Sequence, residues 1–264
     1  MPSMSESTTG ECERCGGTGF LILEAAGVSR ARPCACRAVP RGRPAGIEDF
    51  LQAARIPRRY HDCDFENFDA IPPHQLALQG ARTWALRYAE EYPLSDRGLL
   101  FMGPPGVGKT HLAVSTLRRL ALLKGVPGLF CDVQDLLRRL QATFDRQSGM
   151  SELDLLQPVL QTEAVLLDDL GGRQFSPWLE ETLSHIVTTR YNDKRATLVT
   201  TNYTDESASG RGPTLKDRIG PRVYSRLQEM CHVVKIEAQD FRQLIKRADH
   251  HRLTDRIERP KESA

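Results

Sequence analysis

Apolar residues fall along this chain in short dense runs separated by stretches of amphipathic spacing. The runs at 98–102, 126–133, 165–167, 196–201 and 231–236 have the apolar density of short buried strands. Helical spacing covers 76–91, 111–123, 135–144 and 151–160. A further helix opens at Phe175-Ser176-Pro177-Trp178 and runs to Asn192, with Pro177 in the first turn and Leu179, Leu183, Ile186 and Val187 on one face. Strands alternating with helices predict an α/β fold with a mostly parallel sheet covered on both faces. Gly210-Arg211-Gly212-Pro213 breaks the chain ahead of the last strand and reads as a loop.

The turn between the strand at 98–102 and its helix carries the strongest chemical signal. Gly103-Pro104-Pro105-Gly106-Val107-Gly108-Lys109-Thr110 fits the phosphate-binding pattern G-x-x-x-x-G-K-[ST] at every fixed position. Glycines let successive N–H groups converge on a β-phosphate, and Lys109 adds a charge for the β- and γ-phosphates. Thr110 offers a hydroxyl to Mg²⁺. The helix from His111 onward presents its N-terminus to the anion, so His111 closes the expected set of nucleotide contacts.

Val165-Leu166-Leu167-Asp168-Asp169-Leu170-Gly171 is an apolar strand ending in two carboxylates, which emerge where open α/β sheets place their ligands. Asp168 is the expected Mg²⁺ ligand and Asp169 the group that polarises an attacking water. The strand at 196–201 ends in Asn202, whose amide suits the γ-phosphate or that water.

Near the N-terminus, Cys12, Cys15, Cys34 and Cys36 form two close pairs, C-x-x-C and C-x-C, with a glycine-rich turn after the first. That set predicts a tetrahedral Cys₄ zinc site, and the segment between the pairs has too few apolar residues to fold without metal. Disulfides are the rival, set aside because the N-terminus does not resemble a signal peptide and an ATPase belongs in the reducing cytosol. Cys63, Cys131 and Cys231 stand alone and read as small buried residues.

With 264 residues and 40% hydrophobic content the chain can bury one real core beside a metal module. The expected order is a zinc-binding module at 1–40, a linker at 41–60, an ATPase domain at 61–250 and a polar tail at 251–264. No apolar run approaches the ~20 residues of a membrane span, so no membrane partner is expected. A net charge of +2, from 36 basic and 34 acidic residues, excludes a polycation. Nucleic-acid contacts must then come from local charge.

These residues together resemble the AAA+ ATPases, and within them the helicase-loader family of DnaC and its relative IstB. Ile56-Pro57-Arg58-Arg59-Tyr60 and Asp64-Phe65-Glu66-Asn67-Phe68 look like that family's lead into the ATPase core. The stretch from Leu215-Lys216-Asp217-Arg218 to Tyr224-Ser225-Arg226-Leu227 looks like its arginine-finger helix, and Asp240-Phe241-Arg242 like its second sensor. The resemblance implies ATP as the nucleotide, Asn202 as first sensor and Arg242 as the cis sensor of the γ-phosphate. It implies Arg226 as a finger reaching a neighbouring subunit's ATP, with Arg222 as the alternative, and hence a homo-oligomer when ATP is bound.

The same resemblance makes the helices at 135–144 and 151–160 an insertion lining a single-stranded DNA path; Arg138 and Arg139 suit phosphates there, and Phe144 reads either as a core residue at the end of an amphipathic helix or as a stack for a base. The function it implies is a cytoplasmic ATPase that loads a DnaB-like replicative helicase. An IstB-like transposition helper, a metabolic kinase and a non-hydrolysing ATP-binding adapter are the alternatives.

Overall fold

The structure is a computed structural model that describes residues 20–25, 28–33, 46–70, 73–94, 97–143, 151–172, 176–206 and 212–243. Strands β1 (Phe20–Ala25) and β2 (Val28–Pro33) form an antiparallel hairpin in which Phe20 faces Pro33. The two cysteine pairs that flank it lie outside the described residues.

The main sheet has five parallel strands: β3 (Gly98–Met102), β4 (Gly128–Asp132), β5 (Ala164–Asp168), β6 (Ala196–Thr201) and β7 (Cys231–Lys235), in the order β4-β5-β6-β3-β7. Every residue of β3, β5 and β6 is buried, because helices cover both faces and no position can alternate toward solvent. On one face α1 (Ile47–Ala53), α2 (Gln75–Glu91) and α3 (Lys109–Lys124) close a core around Leu99, Phe101, Leu112 and Leu117. On the other, α4 (Val133–Ala142), α5 (Glu152–Gln161), α6 (Pro177–Asn192), α7 (Leu215–Ile219) and α8 (Pro221–Met230) close a second around Leu100, Leu167, Ile186 and Leu227.

Three expectations need correction. Within the linker expected at 41–60, residues 47–60 are folded: Phe50, Leu51, Ala54 and Ile56 are buried in the first core, and a 3-10 turn follows at Arg58–Tyr60. Phe50 and Leu51 dock the short helix, and Ala54 and Ile56 just after it continue the contact once the sheet offers a surface. The strand expected at 126–133 is trimmed to Gly128–Asp132, since Pro127 has no N–H to donate and the Asp132 carboxylate accepts from Asp135 N–H at 2.9 Å to start α4. The arginine-finger segment is two helices, not one. Gly220 at φ +80° and ψ 154°, followed by Pro221, stops α7 and opens α8 in a new direction.

Cys63, Cys131 and Cys231 are buried free thiols, and burial pushes them up to about 11, 12 and 12 respectively. Among the described residues no helix is long and apolar enough to cross a membrane.

Candidate nucleotide site

Strand β3 leads into the glycine-rich turn, and α3 begins immediately after Gly108. The turn takes φ +79° at Gly106 and +91° at Gly108, conformations that side chains disfavour. Space demands glycine as well. A Cβ at Gly108 would stand 2.5 Å from the Phe68 ring, and one at Gly106 would stand 1.8 Å from the Asp240 carboxylate. Two segments remote in sequence therefore grip the turn, one before α2 and one after β7. Phe241 N–H adds a hydrogen bond to the Gly106 carbonyl at 3.1 Å.

These segments wall a cavity of about 510 Å³ at the C-terminal edge of the sheet. Pro105 to His111, Asp168, Asp169, Asn202 and Arg242, all singled out from the sequence, line it. Gly103 and Pro104 instead turn their carbonyls to the Lys109 ammonium, at 2.8 and 2.7 Å, and Asn202 Oδ1 completes its shell at 2.8 Å. None of these three partners is charged. Burial therefore wins over the nearby Asp169 and Asp168 carboxylates and pulls the Lys109 pKa down to about 8. A buried cation without a direct anion, at the end of a loop of convergent N–H groups, is suited to a polyphosphate.

Asp168 is 6% exposed, and its Oδ1 accepts from the Thr110 hydroxyl at 2.8 Å and the Thr200 hydroxyl at 2.6 Å. Burial raises its pKa and the two hydroxyl donors oppose the rise. A hydroxyl beside a carboxylate, next to a phosphate loop, is a donor set that fits Mg²⁺. Asp169 adopts φ +56°, a conformation a non-glycine residue takes only when its surroundings hold it there. Its N–H donates to Thr200 Oγ1 at 3.0 Å, and its Oδ1 accepts from Asn202 Nδ2 at 2.8 Å. Burial, then the charge of Asp132, raise its pKa, and Lys109 pulls it back. Asn202 thus bridges Lys109 to Asp169.

Several lining residues escaped the sequence reading. The Thr200 hydroxyl donates to the Asp168 carboxylate and accepts from the Asp169 N–H, and Asp132 brings a third acid from the end of β4. Arg59 lines the cavity with its guanidinium 4.4 Å from the Tyr60 ring centroid. Phe68 and Phe241 line it as well, and Phe68 meets the His111 ring edge-on with centroids 5.3 Å apart. The His111 imidazole is tied at 2.8 Å to the Asp64 carbonyl, so its ring serves the gripping segment. A lone Asp closing the apolar run of β4 and the F-x-N-F run are the visible signals for Asp132 and Phe68; Arg59 carries none of its own.

The expected finger residues lie apart from this cavity. Arg222 and Arg226 sit on α8 with Tyr191 and Glu229 around a shallow surface depression, and neither lines the nucleotide cavity of its own chain. Arg138 and Arg139 are exposed on α4 and share one carboxylate, Asp135, at 4.0 and 2.7 Å. Phe144, like Cys12, Cys15, Cys34 and Cys36, lies outside the described residues.

A five-stranded parallel sheet with the phosphate loop leaving β3 and the paired acids leaving β5 defines the AAA+ P-loop ATPase class. The structure of AMPPCP-bound DnaA from Aquifex aeolicus, 17% identical, has this fold with a TM-score of 0.51 over 74% of this chain and 56% of that one. Residues 47–249 match the IstB-like ATP binding protein family, and the chain belongs to it, within the DnaC/IstB-like AAA+ ATPases. It is 32% identical over 188 residues to the replicative helicase loader DnaC of Escherichia coli (strain K12), covering 67% of this chain and 74% of that protein. The crystal structure of the DnaC helicase loader is similar at 34% identity and a TM-score of 0.59, over 68% of this chain and 99% of that one.

Proposed function

We propose that this protein is an ATP-hydrolysing loader of a DnaB-like replicative helicase that engages single-stranded DNA and works in the cytoplasm. The observation that carries the reading is the meeting of Lys109, Thr110, Asp168, Asp169 and Asn202 on one cavity in a chain this similar to DnaC loaders. When ATP arrives, Lys109 exchanges its neutral partners for the β- and γ-phosphates, and the N–H groups of the turn close on the β-phosphate. Thr110 and Asp168 would hold Mg²⁺, which supplies charge neutralisation to the phosphates. Asp169 takes the proton of the attacking water, Asn202 orients it, and Arg242 from the segment after β7 reaches the γ-phosphate. Arg226 faces away from its own cavity and completes a neighbour's in a homo-oligomer. Arg222, one turn earlier, is the alternative finger.

In this reading α4 and the residues that follow it line the DNA path. Arg138 and Arg139 share a single acid, so the pair keeps net positive charge for phosphates, and Phe144 stacks on a base. Cys12, Cys15, Cys34 and Cys36 hold zinc: the thiolate set is right for the ion, and Cys34 directly follows Pro33 at the open end of the β1–β2 hairpin. One equivalent of zinc per chain by elemental analysis is the expected result.

The family description favours one second reading, an IstB-like helper that binds duplex DNA and a transposase. Affinity capture on the tagged full chain, with ATP and Mg²⁺, separates the two. Recovery of a replicative helicase, lost in Lys109→Ala, supports the loader. Recovery of a transposase without helicase overturns it.

A further inference from the structure

Arg59 lines the nucleotide cavity, yet the chemistry proposed above gives it no work. Pro57 opens the 3-10 turn with its φ of −60°, and Tyr60 N–H closes it on the Pro57 carbonyl at 2.8 Å, so that Arg59 and Tyr60 leave the turn side by side. The Tyr60 ring packs on Phe130 of β4 with centroids 5.9 Å apart, which seats the turn on the edge of the sheet. The Arg59 guanidinium lies over the Tyr60 ring and donates to its hydroxyl. An exposed arginine ordinarily samples many rotamers; this one is tethered at the cavity wall.

Charge fixes which part of the cavity it serves. The Tyr60 hydroxyl does most to favour the charged guanidinium, partial burial opposes it, and the Asp168 and Asp132 carboxylates then add to it. Both acids stand at the C-terminal ends of neighbouring strands, and Asp168 is bonded to Thr110, the pair suited to hold Mg²⁺ against the outer phosphates. In the sheet order β4-β5-β6-β3-β7, Arg59 is seated on one edge strand and Arg242 follows the other, with Lys109 after β3 between them. Asp132, Asp168 and Asp169 line this part of the cavity, so a triphosphate arriving there meets three carboxylates and needs more than Lys109 and Arg242 to offset the charge.

Building on the reading of this cavity as an ATP site, we propose that Arg59 is a specificity-determining residue: from the β4 edge it binds the γ-phosphate of the ATP held by its own chain, and so sets the preference for ATP over ADP. The planar guanidinium keeps N–H donors to spare for phosphate oxygens while one nitrogen stays on the Tyr60 hydroxyl. The tether reduces the side-chain freedom lost on binding. ADP has no terminal phosphate for Arg59 to meet and leaves it on Tyr60.

The test compares the affinities of AMPPCP and of ADP, each with Mg²⁺, by calorimetry on the full chain. In Arg59→Ala the AMPPCP affinity should fall about 10-fold or more while the ADP affinity holds, so the ratio between them drops by the same factor. Arg59→Lys keeps the charge and loses the fork, and its ratio should lie between those of wild type and Arg59→Ala. The ADP affinity doubles as the check on folding, because a merely structural arginine would weaken both nucleotides together or lower the melting temperature and leave the ratio unchanged. Equal losses for the two nucleotides, or an unchanged ratio, in Arg59→Ala would overturn this inference and leave the ATP site intact. Lys109→Ala is the parallel control: wild-type affinity for both nucleotides in that variant would instead overturn the reading on which the inference rests.

Discussion

The Lys109 ammonium is surrounded by two backbone carbonyls and an amide oxygen, all neutral, which is why burial draws its pKa down to about 8. A bound triphosphate favours the charged form and lifts that pKa. Below about pH 8 free and bound protein both carry the proton, and pH does not act through this group. Above it, binding takes up a proton, so affinity must fall as pH rises, by at most about tenfold per unit. Titration of a fluorescent ATP analogue between pH 7 and 10 checks this, and a flat affinity would contradict it. Asp169→Asn isolates the neighbouring role. The amide keeps the contact with Asn202 yet cannot take a proton, so analogue binding should survive while turnover falls by about 10²-fold or more, as measured by phosphate release.

At the scale of elements, the far edge of the sheet is held by one side chain. Arg190 on α6 is fully buried and donates to the carbonyls of Val159, Thr162, Glu163 and Ala196 and to the Thr197 hydroxyl, at 2.6 to 3.2 Å. It ties the end of α5 to the starts of β5 and β6. Replacing it with Ala strands those acceptors and opens a cavity, so Arg190→Ala should lose about 3 kcal/mol or more of stability. Analogue affinity of the folded variant should hold, because the nucleotide cavity lies at the opposite edge of the strands. A denaturant series showing a loss below about 1 kcal/mol would contradict the clamp.

Nothing in the sequence marks Arg190, which reads as one more charge near a helix end, whereas the phosphate turn and the acid-tipped strand were legible because their chemistry is local. The glycines, Lys109 and Thr110 act through backbone geometry within eight residues, and Asp168 and Asp169 through their place at a strand end. Thr200 and Phe68 acquire meaning only when the sheet sets them against residues far along the chain. The docking of 47–60 was hidden for the same reason: its apolar residues are few and find their partners on α3 and β4. The break in the finger segment is written in Gly220-Pro221, which the resemblance to a single helix passes over.

As a whole molecule, the chain carries the two halves of the proposed catalytic unit in separate places. Its cavity holds the phosphate loop, both acids and Asn202, while Arg226 looks outward from α8 beside Tyr191 and Glu229. In the proposed mechanism a neighbour's Arg226 joins Lys109 and Arg242 at the phosphates. The decisive measurement is phosphate release by full-length wild type, by Arg226→Ala, by Lys109→Ala and by mixtures of the two variants, with single-stranded DNA present and assembly verified. The account predicts turnover by wild type and a fall of up to ~10³-fold in Arg226→Ala with ATP binding retained. It predicts no turnover by Lys109→Ala, and partial recovery in the mixture, where an intact Arg226 of one subunit meets an intact Lys109 of another. A wild type that releases no phosphate, or a mixture that recovers nothing at any ratio, would contradict it.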